Sequence, residues 1–290
     1  MRPSRPHQKG FRPHRVKEAA GPATVGQTGR REGRAAAQPE RWLYGRHAVA
    51  AALANPARRW RRLVALAGHE AEAGELVTAA RAEQRSGAEP VQVLDRVALA
   101  ALLPEGAVHQ GLALDIEPLA ETDLDDLLRA AEMAAGRAVV IVLDQVTDPH
   151  NVGAVLRSAA AFGALGVVIT EHNAPPASGA LAKAASGAIE LVPLVRVVNI
   201  ARALDQLKAA GFWCCGLDES AAEPLAALDL GPKAAMVLGS EGGGLRRLVR
   251  ERCDYLARLP TRPPLSSLNV SNAAAVALYE MARDETARGR

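Results

Sequence analysis

Aromatic residues and cysteines are both scarce in this 290-residue chain. Phe, Trp and Tyr together make up 3% of the residues, whereas apolar residues make up 49%, so we expect packed cores built from Leu, Val and Ala. The three cysteines, Cys214, Cys215 and Cys253, do not have the spacing of metal ligands. We interpret the adjacent Cys214 and Cys215 as small buried hydrophobic residues in a reducing compartment, predict no metal site, and expect a cytoplasmic protein.

Long apolar runs are also missing. No run reaches the roughly 18 residues that a membrane-spanning helix needs, and the N-terminus has no apolar stretch typical of a secretory signal. We therefore expect no membrane partner. The glycine fingerprint of dinucleotide-binding folds and the Gly-Lys-Ser/Thr of phosphate-binding loops are absent as well, which argues against a nicotinamide-dependent dehydrogenase.

Positive charge is concentrated in the N-terminal tail. Residues 1–40 hold nine Lys and Arg against three Asp and Glu, whereas the remaining 250 residues hold 26 against 29. The tail has almost no large apolar residue, so we predict that it is disordered. Such tails commonly attract polyanions such as RNA, although a solvated arm without a specific partner is an equally good interpretation of the tail alone.

Two folded regions are predicted after the tail. Helix and strand patterns alternate over residues 41–118, which indicates a small α/β domain, and residues 119–136 are predicted to form a linker with one helix. Residues 137–290 contain apolar runs typical of buried parallel strands, separated by helical segments. These strands are predicted at residues 138–143, 167–170, 189–195, 212–217 and 235–238. Ligands of such sheets gather at the carboxyl ends of the strands, where the polar clusters of this chain fall.

The first polar cluster follows the strand predicted at 138–143 and has the sequence DQVTDPHNVGAVLRS. A turn with a proline runs into a helix, with Asn151 near its start and Arg157 further along. Asn151 could be an ordinary helix cap and Arg157 an ordinary surface residue. Arg157 nevertheless lies among apolar residues, an unusual setting for a surface arginine, and we interpret it as functional. Six residues turn a helix through about 600°, so the two side chains need not share a face if the helix begins by Asn151.

Two further polar clusters follow in the second half of the chain. The first of them is GSEGGG at residues 239–244, where glycines let the backbone approach a ligand closely and Glu241 is the single carboxylate. The other is PTRPPLSSLNVSN at residues 260–272, a proline-rich loop that runs into a helical pattern. It carries Ser267 and Asn269 among more polar residues than one helix cap requires, so both are expected to face a site.

These three segments, in this order, resemble motifs 1, 2 and 3 of the SpoU (TrmH-type) RNA ribose 2′-O-methyltransferases. The resemblance covers about residues 135–285. Residues 44–49, YGRHAV, and 106–111, GAVHQG, resemble the substrate-binding domain of the branch that methylates guanosine in 23S rRNA. The resemblance implies a parallel-sheet α/β catalytic domain with a C-terminal trefoil knot of the SPOUT type, preceded by a small α/β RNA-binding domain. It also implies a homodimer with sites near the subunit interface.

The same resemblance implies S-adenosylmethionine as the cofactor, held by the backbone around four residues: Leu217, Gly239, Leu259 and Leu268. Arg157 would activate the ribose hydroxyl, as a base or by stabilising an oxyanion or clamping a phosphate, since a guanidinium normally keeps its proton. The other matched residues would orient the ribose, the cofactor or Arg157: Asn151, Glu241, Ser267 and Asn269. The chain departs from the family at residues 262–265, RPPL, where many relatives have a small glycine-containing turn.

Two other interpretations stay open at this point. The nearer one is the same chemistry on tRNA, at a D-loop guanosine, although the additional N-terminal domain favours rRNA. The other is a non-catalytic RNA-binding protein on the same fold. The presence of all five matched polar residues argues against it.

Overall fold

The computed structural model describes residues 41–83, 91–172, 174–175, 180–264 and 267–287. The basic tail predicted at residues 1–40 lies outside the described residues, as do Leu265 and Ser266 of the proline-rich loop. The described residues belong to one structural unit that contains two β-sheets.

The smaller sheet lies in the N-terminal part of that unit. Its strands are β1 Trp42–Tyr44, β2 Trp60–Leu66, β3 Gln92–Leu94 and β4 Leu112–Ile116. Its helices are α1 Arg46–Ala54, α2 Glu70–Glu83 and α3 Arg96–Ala100. The strand order is β1-β4-β2-β3, in which β4 runs antiparallel to both neighbours and β2 runs parallel to β3. Helices α1 and α2 pack on one face of this sheet, in a core that includes Leu53, Leu63 and Leu114.

The larger sheet is parallel throughout, with the order β7-β6-β5-β10-β8-β11-β9. Its strands are β5 Ala138–Leu143, β6 Gly166–Thr170, β7 Leu194–Val197, β8 Trp213–Leu217, β9 Glu223–Pro224, β10 Lys233–Leu238 and β11 Tyr255–Arg258. The helices of this part are α4 Leu124–Met133, α5 Pro149–Ala161, α6 Ala180–Ala184, α7 Ile200–Ala209, α8 Arg247–Arg252 and α9 Val270–Ala287. Two short 3₁₀ helices occupy Ala188–Glu190 and Leu225–Ala227.

The central strand β5 explains why the larger sheet forms. All six of its residues, AVVIVL, are buried, and alternate side chains enter different cores. Ile141 and Leu143 belong to the core on the side of α5 and α9, whereas Val140 and Val142 belong to the core on the side of α4 and α7. A strand buried on both faces needs an unbroken apolar sequence, so this run predicts a central parallel strand. Its neighbour β10 is in register with it, and Leu238 lies opposite Leu143.

The fold class predicted from the sequence is confirmed, whereas one strand prediction is wrong. The first two residues of the run predicted as a strand at 189–195 belong to a 3₁₀ helix, and β7 begins only at Leu194. Gly187, at φ 89°, turns the chain just before this run, and Pro193 interrupts it with a residue that has no N–H to donate to a sheet. The trefoil knot and the exact domain boundaries at 118 and 136 stay predictions.

Candidate active site

The helix that carries the first motif begins earlier than Asn151. Asp148 is the N-cap of α5: its side chain accepts a hydrogen bond from the backbone N–H of His150 at 3.0 Å, and Pro149 occupies the first helical position. Proline fits there because the first N–H groups of a helix have no partner within the helix. Asn151 is therefore not the cap, and its amide is available for other contacts.

The glycine-rich loop after β10 folds back on itself. Ser240 and Gly244 exchange backbone hydrogen bonds of 3.2 and 2.9 Å. This turn brings the chain so close to itself that a Cβ on Gly239 would lie 2.0 Å from the carbonyl carbon of Gly244. Glycine at 239 is thus a steric requirement of the loop, and the loop holds Glu241 at its tip.

The third motif presents Asn269 at the start of α9. Its side-chain Oδ1 accepts hydrogen bonds from the backbone N–H of Ser271 at 2.9 Å and from the Ser271 hydroxyl at 2.6 Å. Asn269 is therefore the cap of this helix. Because Oδ1 is engaged by the helix, the amide Nδ2 must point the other way, toward the neighbouring loops.

The three motifs meet in a ring of side-chain hydrogen bonds. Asn151 Nδ2 donates to Glu241 Oε1 at 3.0 Å, and Asn269 Nδ2 donates to Asn151 Oδ1 at 3.2 Å. Asn269 Nδ2 also contacts Glu241 Oε1. One carboxylate oxygen thus receives two amide groups from residues that lie 90 and 28 positions away in the sequence. Side chains from all three motifs thus meet at one place in the structure.

A cavity of about 620 Å³ opens beside this ring, at the carboxyl ends of β8, β10 and β11. Glu241 and Asn269 line it, and Ser267 lies on its wall. All four residues predicted to hold a cofactor also line it: Leu217, Gly239, Leu259 and Leu268. Its volume lies within the roughly 300–1,000 Å³ of small-molecule sites.

Arg157 does not lie in this cavity. It is exposed on α5, and among the described residues it has neither a hydrogen-bond nor an ion-pair partner. Because α5 begins at Pro149, both Asn151 and Arg157 are helical, and six residues place them about 120° apart around the helix. The structure therefore brings together Asn151, Glu241 and Asn269 and leaves Arg157 on another face.

Sequence reasoning missed the polar wall of the cavity, which includes Asp218, Ser220 and Arg250. The hydrogen bond from the Ser220 hydroxyl, aided by the nearby charge of Arg250, holds the pKa of Asp218 below its ordinary value. Arg250 Nη1 lies 3.0 Å from an Asp218 carboxylate oxygen. The position of Asp218, directly after β8, is the signal that could have identified it, since ligands gather at strand ends.

An ion pair between Asp144 and Arg246 connects the first two motifs. Asp144, at the end of β5, is wholly buried and accepts hydrogen bonds from the backbone N–H of Arg246 at 2.9 Å and from its Nε at 2.8 Å. Arg246 follows the glycine-rich loop, and its side chain is half exposed. The pair therefore anchors the far end of the loop to the strand that precedes Asn151.

No group of His, Cys, Asp and Glu within the described part of the chain is arranged to hold a metal ion. Burial raises the pKa of each of the three cysteine thiols to about 12. A thiol with such a pKa remains protonated near neutral pH and is a poor nucleophile. The polar ring and the cavity beside it are therefore our candidate active site within the described structure.

Comparison with known proteins agrees with this geometry. Residues 138–279 match the SpoU rRNA Methylase family, and residues 42–122 match the domain described as RNA 2'-O ribose methyltransferase substrate binding. The 23S rRNA (guanosine-2'-O-)-methyltransferase RlmB of Pseudomonas syringae is 39% identical over 249 residues, which cover 85% of this chain and 96% of that protein. The chain belongs to the SpoU rRNA methylase family. The RlmB protein of Pseudomonas aeruginosa is similarly close, at 40% identity over 84% of this chain and 96% of its own length.

A solved structure of this family has the same fold. The SpoU methyltransferase AviRb from Streptomyces viridochromogenes, in complex with the cofactor AdoMet, superimposes with a TM-score of 0.68 at 25% identity, over 86% of this chain and 91% of that one. The two family matches assign a domain to each sheet of the present chain. Residues 42–122 form the substrate-binding domain, and the larger sheet forms the methylase domain.

Proposed function

We propose that this SpoU protein transfers the methyl group of S-adenosylmethionine to the 2′-hydroxyl of a guanosine ribose in 23S rRNA. The ring formed by Asn151, Glu241 and Asn269 at the wall of the cavity is the observation that carries this proposal. The RlmB relatives, which are 39–40% identical over nearly their whole length, support the choice of 23S rRNA.

The residues of the cavity fit S-adenosylmethionine. Leu217, Leu259 and Leu268 offer apolar contact to an adenine ring, and the glycine-rich loop offers backbone groups at close range. The cofactor supplies an electrophilic methyl group on a positively charged sulfur. Three carboxylates, those of Asp218, Glu219 and Glu241, line the cavity against the single guanidinium of Arg250, and this excess of negative charge favours a cationic ligand.

The chain's own polar residues would orient the sugar. Asn151 and Asn269 are held by hydrogen bonds to each other and to Glu241, so little side-chain freedom remains to be lost when a ribose binds. Ser267 lies on the same wall with its hydroxyl available as donor or acceptor. Arg157 stays our candidate for stabilising the alkoxide or a neighbouring phosphate. Because it lies outside the cavity of its own chain, this role requires a second subunit that packs against α5.

We further propose a homodimer in which a second copy covers α5 and α9. Val276 and Tyr279 of α9 are exposed, at 45% and 54%, and lie three positions apart, so they form one apolar patch on the same face of the helix. The Tyr279 ring also packs edge-on against Phe162 at the end of α5, so one face is continuous from α9 to the helix of Arg157. Analytical ultracentrifugation tests this: a Tyr279→Arg variant should sediment as a monomer, whereas a dimeric variant contradicts this interface.

Methyl incorporation from labelled S-adenosylmethionine tests the main proposal. Unmodified 23S rRNA should accept label, and unmodified tRNA should not. Asn269→Ala should reduce the rate on the order of 10²-fold, because a positioned polar group is lost from the site. Asn272→Ala is the matched control, since Asn272 is an exposed residue of the same helix that does not line the cavity. Equal rates for the two variants, or label in tRNA alone, would contradict the proposal.

We place the reaction in the cytoplasm, where the three free thiols remain reduced.

A further inference from the structure

The substrate-binding domain is fastened to the methylase domain by a buried ion pair. Arg58 lies just after α1, and Glu190 ends the first 3₁₀ helix. Their side chains are 2% and 0% exposed. Arg58 donates to the Glu190 carboxylate from Nη2 at 2.6 Å and from Nε at 3.1 and 3.2 Å, and its Nη1 donates to the backbone oxygen of Glu117 at 2.7 Å.

Close packing surrounds this pair. Asn55 Nδ2 donates to Glu190 Oε2 at 2.8 Å, so the carboxylate has a second partner from the substrate-binding domain. A Cβ on Gly187 would lie 2.4 Å from Ala51 Cβ, which leaves no room for a side chain between the domains. We call Asn55, Arg58, Gly187 and Glu190 the interdomain joint.

The methylase side of the joint rests directly on the helix that carries the first motif. The segment 180–190 comprises α6 and the first 3₁₀ helix, and both contact α5. A Cβ on Gly153 of α5 would lie 2.4 Å from Ala184 Cβ, so the two helices touch through their backbones. On its other side Ala182 of α6 belongs to the core of the substrate-binding domain. One short segment therefore separates that domain from the helix of Asn151.

An ion pair is not the best way to stabilise such a contact. Removing two charges from water is costly, and apolar residues of similar volume commonly serve stability as well or better. The pair instead fixes the orientation of one domain relative to the other. A planar guanidinium that donates to both carboxylate oxygens and to a carbonyl keeps these bonds in only one relative orientation of the two domains.

We propose that Arg58 and Glu190 are positioning residues that lock the substrate-binding domain against α5, so that RNA held by the smaller sheet reaches the ring of Asn151, Glu241 and Asn269 in one orientation. The effect on catalysis rests on the proposed function, whereas the lock itself does not. Only residues 180–190 separate the substrate-binding domain from α5. A tilt of that domain therefore displaces bound RNA relative to α5 without altering the cofactor cavity.

Two RNA substrates separate positioning from stability. The first is a long 23S rRNA fragment that extends well beyond the target nucleotide, and the second is a short oligomer too small to contact both domains. Glu190→Gln should lower kcat/KM for the long RNA at least tenfold, because misplacement of a substrate by about 1 Å can cost on the order of 10²-fold. It should leave kcat/KM for the oligomer and the affinity for S-adenosylmethionine within twofold of wild type.

Asn55→Ala provides a second variant, since it removes the hydrogen bonds that Nδ2 donates to Glu190 and the one that Oδ1 accepts from the backbone N–H of Ala57, and leaves the ion pair in place. It should also lower kcat/KM for the long RNA, but by a smaller factor than Glu190→Gln. Glu117→Gln is the matched control: among the described residues its side chain forms a solvent-accessible ion pair with Arg61, 3.5 Å away, and the substitution keeps the backbone oxygen that Arg58 contacts, so both RNAs should react normally. Equal losses on the two RNAs, or no loss on the long one, would overturn the positioning role.

A measurement without catalysis tests the lock independently of the proposed function. Dyes attached through Val97→Cys and Val198→Cys, at exposed positions in the two domains, report the interdomain distance by energy transfer. Glu190→Gln should broaden the distance distribution, and Glu117→Gln should not. An unchanged distribution in Glu190→Gln overturns the lock, even if the enzyme is active. A broadened distribution in a protein that methylates neither RNA supports the lock and contradicts only the proposed function.

Discussion

Replacement of Gly239 by alanine is the most informative single change in the cofactor cavity. The new Cβ would lie 2.0 Å from the carbonyl carbon of Gly244, 2.1 Å from its oxygen and 2.4 Å from the backbone nitrogen of Leu245. These are backbone atoms, so no side-chain rotation can relieve the overlap. The loop must open, and with it the wall of the cavity must move.

The size of the effect follows from the cost of overpacking. Forcing an additional methyl group into a close-packed region typically costs about 1–3 kcal/mol. If binding of S-adenosylmethionine requires the closed loop, that cost appears in the binding free energy. At about 1.4 kcal/mol per tenfold change, the dissociation constant should rise about 5- to 150-fold.

Isothermal titration calorimetry measures this dissociation constant directly. Gly243→Ala is the matched control in the same loop, because a Cβ there meets only the Ser240 hydroxyl oxygen, at 3.0 Å, and that side chain can rotate away. The control should bind within a fewfold of wild type. Unchanged affinity in Gly239→Ala, or equal losses in both variants, would refute the steric account of the loop.

Two further predictions concern stability. Arg246→Ala leaves the wholly buried Asp144 carboxylate without the half-exposed guanidinium but with the backbone N–H of residue 246, and should cost about 1–3 kcal/mol of unfolding free energy in urea titrations, whereas an unchanged unfolding free energy would contradict the anchoring role. The thiols of Cys214, Cys215 and Cys253 have their pKa raised from 9.0 to about 12, so between these values the folded state retains protons that the unfolded state has lost. Unfolding free energy should therefore fall as pH rises above about 9, and a thiol reagent at pH 8 should react with the buried Cys214 and Cys215 only after unfolding; fast labelling of these two in the native protein would contradict their burial.

The sequence predicts the parts of this fold whose cause is local. The run at β5 is buried on both faces, and only an unbroken apolar stretch suits that position, so the strand could be recognised without the structure. The run at 189–195 is less uniform, because it contains Glu190 and Pro193, and its apolar residues alone do not distinguish a strand from a 3₁₀ helix followed by a short strand.

Some contacts of the candidate site could also be predicted from the sequence, whereas others could not. That the three loops meet near strand ends could be expected from the order of the motifs, and Asn151, Glu241 and Asn269 do meet. The position of Arg157 depends on where α5 begins, and Asp148 and Pro149 set that start two residues before Asn151. The pairing of Arg58 with Glu190 joins residues 132 positions apart, and neither lies in a recognisable motif. Such contacts arise only when the two domains pack.

Mass-spectrometric mapping of ribose methylation in 23S rRNA tests the central claim most directly. The RNA would come from cells that lack this protein and from the same cells supplied with wild type, Asn269→Ala or Asn272→Ala. The convergence of the three motifs on one site predicts a 2′-O-methylguanosine that is missing in the deletion and is restored by wild type and Asn272→Ala but not by Asn269→Ala. An rRNA methylation pattern that is the same in all four samples would contradict it.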